Sequence, residues 1–448
     1  MHPPVIDEAD MLMVRAVGRR LQKKQFDEFT AQGRRCGWCC HPVRLRGVVM
    51  TNDGNGRRLA FSTGSLPDGV FLKACGTRRE TRCPSCASVY RGDARHLVRA
   101  GLIGGKGVDE SVTERPAVLL TLTAPSFGLV HSAKTGGPCR PSSPTASCQH
   151  GQPLTCFRHH ANDDDVVGTP LCVDCYDYES AVLHNACTAE LWRRTTIYLM
   201  RHLASALGRT QAETKTLVKL SFCRVAEYQR RGVVHLHAVI RADGINGAVP
   251  PLSVEQLARA SLSTARAVSV AHASGIARWG NQVDVQVLDR TDGQRAQKVG
   301  QYVAKYATKS SAESGALDYR ITSEEDLSRR ELNPHVRTMA EMAWTLGADE
   351  KFAHLHLRRH AHSLGYGGHF LSKSRRYSTS FRALKADRVA WRSQQRHGVA
   401  TADHSVEARW HAVGIGWASP GEALFAGFQQ RQRATEIRLA NEEWYGRH

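Results

Sequence analysis

The chain has 448 residues, with 61 Lys+Arg against 42 Asp+Glu, a formal net charge of +19 and an isoelectric point near 9.6. That length leaves room for roughly two to four domains, and the charge suits a polyanionic partner, most simply nucleic acid. No apolar run of about 18 residues is available to cross a membrane. The opening MHPPVIDEADML is acidic and lacks a signal-peptide core, so a cytoplasmic protein is expected, whose 13 Cys read as metal ligands rather than disulfides.

In chain order, residues 11–30 read as a helix. Two C-x2-C knuckles follow, Cys36-Gly-Trp-Cys39 and Cys83-Pro-Ser-Cys86. Each short loop offers two thiolates to one tetrahedral ion, so Cys36, Cys39, Cys83 and Cys86 make a zinc site, with Cys40, His41 and Cys75 as alternative ligands. Residues 1–103 form this N-terminal region, and the Gly- and charge-rich stretch 104–116 is a linker. The apolar run Ala117-Val118-Leu119-Leu120-Thr121-Leu122-Thr123 is a core strand whose threonines read as sheet packing. A polar insertion, 131–178, then carries Cys139, Cys148, His150, Cys156, His159, His160, Cys172 and Cys175. Cys172-Val-Asp-Cys175 supplies one knuckle, with Cys148 and Cys156 chosen as the other ligands and histidine able to replace either. A segment with so little apolar content can be folded by zinc. Asp163-Asp164-Asp165 reads as a solvated loop. Residues 179–206 have an amphipathic helical pattern, with Val182, Leu191, Trp192 and Leu199 among the apolar positions.

Residues 219–240, KLSFCRVAEYQRRGVVHLHAVI, read as a β-hairpin. If Arg230, Arg231 and Gly232 form a three-residue loop with Gly232 left-handed, Gln229 faces Val233. Glu227 then lies opposite His235, and Val225 opposite His237. Alternation at period two places both histidines on one face. Two imidazoles and a carboxylate converging there outline a divalent metal site.

A further helix is expected over 253–273, and Val283, Val285 and Val287 alternate as a strand. Residues 294–309, QRAQKVGQYVAKYATK, are helix-compatible. In a helix, Tyr302 and Tyr306 stand roughly 6 Å apart along the axis on one face, with Lys305 and Lys309 each three residues beyond a tyrosine. Phenols and ammonium groups so placed suit attack on phosphate. Residues 311–335 read as a polar link. The segment 351–362 reads as a basic helix whose histidines lack a completing Glu or Cys. The densest basic stretch, 373–396, includes Lys373, Arg375, Arg376, Arg382 and Lys385, interleaved with Tyr377, Phe381 and Trp391, and is the expected DNA contact. No G-x4-G-K-[ST] signature occurs, so ATP-driven helicase activity is not indicated. The order of elements gives an α+β fold around an antiparallel sheet.

HLH at 235–237 followed by YVAKYATK at 302–309 resembles the HUH endonucleases, in the motif order of rolling-circle replication initiators. The Y-x-x-x-Y pair resembles their two-tyrosine branch, and the 117–123 run looks like the family's first motif. LTLTAPSFGLVH, EYQRRGVVHLHAVIRADG and GGHFLSKSRRYS look most like initiators of actinobacterial plasmids and integrative elements. The resemblance spans roughly 115–395, with the nuclease domain at 117–310 and a basic C-terminal region at 311–448. It implies a central sheet carrying both histidines. It also implies Mg²⁺ or Mn²⁺ held by His235, His237 and Glu227, and nucleophilic Tyr302 and Tyr306, of which Tyr306 matches the single-tyrosine motif better. The implied reaction is origin nicking through a 5′-phosphotyrosine bond on single-stranded or hairpin DNA, with a host helicase and polymerase as partners. A two-tyrosine transposase of the same superfamily and a non-catalytic zinc-dependent DNA-binding regulator are the alternatives.

Overall fold

The computed structural model describes residues 7–52, 57–288, 298–299, 302–303, 319–397 and 405–446. Its described strands, in chain order, are β1 (Val43–Asn52), β2 (Arg57–Ser62), β3 (Phe71–Lys73), β4 (Ala117–Leu122), β5 (Val218–Tyr228) and β6 (Val234–Gly244). They continue with β7 (Ser269–His272), β8 (Gly275–Arg278), β9 (Val283–Val287), β10 (Leu371–Lys373) and β11 (Ser405–Ile415). The chain divides into two units, Met1–Asp93 with Arg382–His448, and Ala94–Phe381. These limits differ from the expected 1–103, 117–310 and 311–448. The reason is long-range strand pairing: β11 adds to the N-terminal β1, while β10 adds to the edge of the other unit's sheet.

In the first unit β1 pairs antiparallel with β11, β2 and β3. The single helix expected over 11–30 is two, Glu8–Gln22 and Phe26–Arg35, broken where Lys24 takes a left-handed φ of 55°. Phe29, Trp38, Trp417 and Phe425 pack ring against ring, the two tryptophans stacked with centroids 5.9 Å apart. Beside them the buried Arg20 pairs with Glu422 at 2.7 Å and with Asp68. A buried cation is tolerated only when so partnered.

The second unit is built on a five-stranded antiparallel sheet, ordered β10-β5-β6-β4-β9. Alternation sends Leu120, Leu122, Ala226, Leu236, Ala238 and Ile240 to one face, where all are buried in a single core. Full burial of each leucine or isoleucine contributes about 1.5–3 kcal/mol. The Tyr178–Ala206 helix covers this face with Leu183, Leu191, Leu199 and Leu203, and Val254–Ala267 packs beside it with Leu257 and Ala260. Ser253 and Gln256 close a reciprocal cap on the latter helix, which stabilises its start. It ends earlier than the expected 253–273, because the β-branched Val268 and Val270 lead into the small β7–β8 hairpin.

The basic segment 351–362 is not one helix. It is three short turns, Glu350–Leu355, Leu357–His360 and Ala361–Ser363, with His356 at φ 50° and Leu364 at φ 51°. Burial of Phe352, Leu357, Ala361 and Leu364 in the common core outweighs helical continuity.

Candidate functional site

The β5–β6 turn sets the register on which the site depends. Gln229 N–H donates to Val233 O (2.9 Å), Gly232 N–H to Gln229 O (2.9 Å), and Gly232 is left-handed at φ 74°. The loop is therefore Arg230–Gly232, and Glu227 pairs with His235 and Val225 with His237. Both histidines lie on the face opposite the core, with ring centroids 4.5 Å apart. His237 Nε2 is 3.5 Å from Glu227 Oε2.

The neighbouring strand β4 and the residue just past its end bring two threonines to the histidines, contacts the sequence reading missed. Thr121 Oγ1 lies 3.2 Å from His237 Nδ1, and Thr123 Oγ1 lies 3.1 Å from His235 Nδ1. Thr121 stands opposite His237 in the β4–β6 register, so the threonines repeat the two-residue spacing of the histidines one strand away. Each hydroxyl meets the Nδ1 of its imidazole, the position an outer partner takes beside a metal-bound histidine. Burial, then the nearby His237, pushes His235 down to about 4, so its imidazole is neutral at neutral pH.

Tyr302 stands against this group, its ring perpendicular (83°) to His237 with centroids 5.2 Å apart, and is 40% exposed. Residues 302 and 303 are helical, and Val303 is fully buried. Lys305, Tyr306 and Lys309 lie outside the described residues.

Among the described residues, three cysteine and histidine groups can each hold a metal ion. In the first unit the set is Cys39, Cys75, Cys83 and Cys86, so Cys75 takes the place expected for Cys36. Cys36 closes the preceding helix instead, its Sγ 3.3 Å from Gly33 O. Neighbouring sulfurs are 3.6 Å (Cys75–Cys86) and 3.8 Å (Cys39–Cys83) apart. Four sulfurs about 2.3 Å from a tetrahedral zinc would be about 3.8 Å from one another. Backbone N–H groups of Cys75 and Cys40 point at Cys39 Sγ (3.2 Å) and Cys83 Sγ (3.4 Å), which suits thiolates.

In the insertion the expected set Cys148, Cys156, Cys172 and Cys175 is split. His150 joins Cys148, Cys172 and Cys175, with its Nδ1 3.2 Å from Cys175 Sγ and 3.6 Å from Cys172 Sγ. Cys156 belongs to a separate group with His131, Cys139 and His160. The chain turns back at Gly151, whose N–H donates to Cys148 O, and this carries His150 rather than Cys156 to the knuckle.

The basic stretch 373–396 is less uniform than its composition. Lys373 spends its ammonium on the backbone carbonyls of Ser374 (3.3 Å), Arg375 (3.4 Å) and Ser378 (2.8 Å), and burial lowers its pKa. Tyr377 is fully buried, its hydroxyl donating to Val98 O. Both are structural here rather than free to meet DNA. Arg375 and Arg376 are exposed in the second unit, Arg382 and Lys385 in the first.

Comparison with known proteins bears on the whole of this arrangement. Residues 25–430 match the RepSA family, described as "Replication initiator protein, pSAM2". A replication initiator protein of Streptomyces ambofaciens is 38% identical over 420 residues, covering 88% of each chain. No solved structure matches significantly. A family match across most of the chain, together with a relative of this identity and coverage, places both units and the insertion within one lineage, and the chain belongs to the RepSA family of replication initiator proteins.

Proposed function

We propose that this protein initiates rolling-circle replication by nicking one strand at its origin and rejoining it through a tyrosine-linked intermediate. The observation that carries this reading is Tyr302 ring against His237, on the face shared by His235 and Glu227. A regulator that only bound DNA would have no use for a phenol set beside paired imidazoles. Family membership supports an origin as the DNA target.

The donor set suits Mg²⁺ or Mn²⁺: two imidazoles and one carboxylate on one face of the hairpin, with His237 Nε2 3.5 Å from Glu227 Oε2. A divalent ion held by these residues would supply Lewis-acid polarisation of the scissile phosphate. His235, His237 and Glu227 orient the phosphate, while Thr121 and Thr123 hold the imidazoles in place. The Tyr302 oxygen attacks phosphorus, forming a P–O bond to the 5′ side of the nick. The bond to the 3′ oxygen breaks, and the net proton passes from phenol to that oxygen. The products are a 5′-phosphotyrosine and a free 3′-hydroxyl for a host polymerase. Because phosphodiester energy is conserved, the reverse attack by a 3′-hydroxyl rejoins the strand without a nucleotide cofactor. Tyr306 serves as the second nucleophile, with Lys305 and Lys309 neutralising phosphate charge. The exposed Arg375, Arg376, Arg382 and Lys385 contribute to backbone binding of the origin, and a host helicase opens the duplex. Zinc at Cys39/Cys75/Cys83/Cys86 and at Cys148/His150/Cys172/Cys175 is structural.

The test uses single-stranded origin DNA labelled just 3′ of the nick, purified protein and Mn²⁺, with an SDS-resistant adduct as the readout. An adduct mapped by mass spectrometry to Tyr302 or Tyr306, and lost in His235→Ala/His237→Ala, is the expected result. Tyr302→Phe with Tyr306→Phe should abolish it, while either change alone leaves part. Tight binding with no adduct at a verified origin would instead mean a DNA-binding regulator.

A further inference from the structure

The group formed by His131, Cys139, Cys156 and His160 was not foreseen as a separate site, and the mechanism above makes no use of it. Two short antiparallel bridges assemble it. Arg140 and Cys156 exchange backbone hydrogen bonds at 2.8 and 3.0 Å, and His131 N–H donates to Thr169 O while its carbonyl accepts from Gly168 (both 2.9 Å). Four ligand atoms thereby face one another from four points in the segment. Cys139 Sγ is 3.8 Å from His131 Nδ1, and Cys156 Sγ is 3.4 Å from His160 Nε2. Nitrogen and sulfur ligands of a tetrahedral zinc are separated by about 3.6 Å.

Two outer contacts distinguish this from a chance cluster. His160 Nδ1 lies 2.7 Å from Asp164 Oδ2, which fixes the ring and leaves Nε2 toward Cys156, the carboxylate–histidine pairing of structural and catalytic zinc sites. Ser132 N–H points at Cys139 Sγ from 3.1 Å, a donor suited to a thiolate, and Cys139 is fully buried. Without an ion, two thiols and two imidazoles would be gathered in a segment with almost no apolar core to hold them. Mixed nitrogen and sulfur donors in this number select zinc.

We infer that His131, Cys139, Cys156 and His160 bind a second zinc ion in the insertion, and that this ion clamps the turn at 164–169 against the loop of the β5–β6 hairpin. The turn lies between ligand His160 and the residues bonded to ligand His131. Asp164 O accepts from Arg230 Nη1 at 2.7 Å, and Gly168 approaches the Arg230 backbone so closely that a Cβ would sit 2.4 Å from its carbonyl carbon. Next to this contact is a cavity of about 720 Å³, lined by Arg140, Arg230, Arg231 and Arg278 and by no carboxylate. The ion thus fixes one wall of a positively charged cleft beside the histidine hairpin. An origin strand as the occupant of the cleft rests on the proposed function; the metal site does not.

Metal content of the purified full chain tests the site. Cys139→Ser/His160→Ala should lose one equivalent of zinc relative to the wild type, and hydrogen exchange at 230–232 should speed up at least tenfold. Retention of all the zinc by a folded variant would overturn the site, and zinc loss with unchanged exchange would overturn the clamp. Should that variant not fold, Cys156→His keeps four ligands but removes one sulfur. The cobalt-substituted protein should then lose the share of thiolate-to-metal absorption that Cys156 contributes, while that of Cys139 and of the other two groups remains, and a spectrum identical to wild type would exclude Cys156 as a ligand. Neither readout depends on nicking, so failure of the nuclease reading leaves this test intact.

Discussion

The β5–β6 hairpin and the Cys/His-rich segment after β4 belong to one unit but are stabilised by opposite means. Along β6, Val234, Leu236, Ala238, Ile240 and Ala242 all enter the core, and hydrophobic burial holds the strand. Between residues 131 and 176 the buried apolar side chains among the described residues are Cys139, Cys156, Pro170, Cys172 and Tyr176. Three of those five belong to metal-ligand groups. A segment so poor in apolar contacts cannot offset its chain entropy by burial alone, and metal binding becomes its folding energy. The lesson is that conformation in the sheet depends on side-chain volume, and in the insertion on ligand chemistry.

The largest effect that separates the two is loss of volume. Leu236→Ala should destabilise the second unit by about 2–5 kcal/mol, since the site is fully buried on a central strand. Val173→Ala, at a position 55% exposed in the insertion, should stay within about 0.5 kcal/mol. Chelation of zinc should reverse the pattern: protection from hydrogen exchange is lost across 131–176 and kept on β5 and β6. Thermal unfolding of the two variants and exchange with and without chelator measure both arms. Equal sensitivity of the two regions to chelation would break the comparison.

The same contrast explains what was legible in the sequence. Period-two alternation fixed the β5–β6 register, because a slip by one residue would turn Leu236 and Ile240 away from the core. Gly232 supplies the left-handed turn residue, so the turn pattern alone sets Glu227 against His235. The insertion has no such periodicity. Which thiol meets which imidazole is decided by loop closure, as when Gly151 brings His150 to Cys172. Sequence spacing cannot rank Cys156 against His150, or Cys36 against Cys75. The 351–362 stretch failed for a related reason. Its apolar positions, Phe352, Leu357 and Ala361, serve a core reached only through left-handed His356 and Leu364, which no helical pattern foresees.

Thr121 on β4 and Thr123 just beyond its end sharpen the comparison at intermediate scale, because both sit at the sheet with their hydroxyls against the two imidazoles. Thr123→Val keeps shape and strand propensity but removes the hydroxyl 3.1 Å from His235 Nδ1. Outer partners of metal-binding histidines commonly contribute 10–100-fold to affinity or rate. A roughly tenfold or larger loss of Mn²⁺ affinity is therefore expected, with thermal stability nearly unchanged and recovery in Thr123→Ser. Isothermal titration and a melting curve on the three proteins separate orientation from packing. An undiminished Mn²⁺ affinity in Thr123→Val would reduce the threonine to a packing residue.

The last arm concerns a polar group held by burial alone. His184, on the Tyr178–Ala206 helix, is enclosed beside Phe127 and Trp279, and neither ring nitrogen has a hydrogen-bond partner among the described residues. Burial, with a minor contribution from Arg231, pushes its pKa down to about 3. The unfolded chain protonates this imidazole near pH 6.5, whereas the folded chain refuses the proton until about pH 3. Its contribution is thus fully present above pH 6.5 and erodes as pH falls, by up to about 1.4 kcal/mol per pH unit. Leucine at this position binds no proton in either state. The difference in unfolding free energy between His184→Leu and wild type should therefore shift toward the variant on going from pH 7 to pH 5. Because the zinc-ligand cysteines and histidines titrate equally in both proteins, they cancel in that difference. A difference that does not change with pH would mean that water or a protein donor reaches the imidazole, and that this helix is not sealed by packing alone.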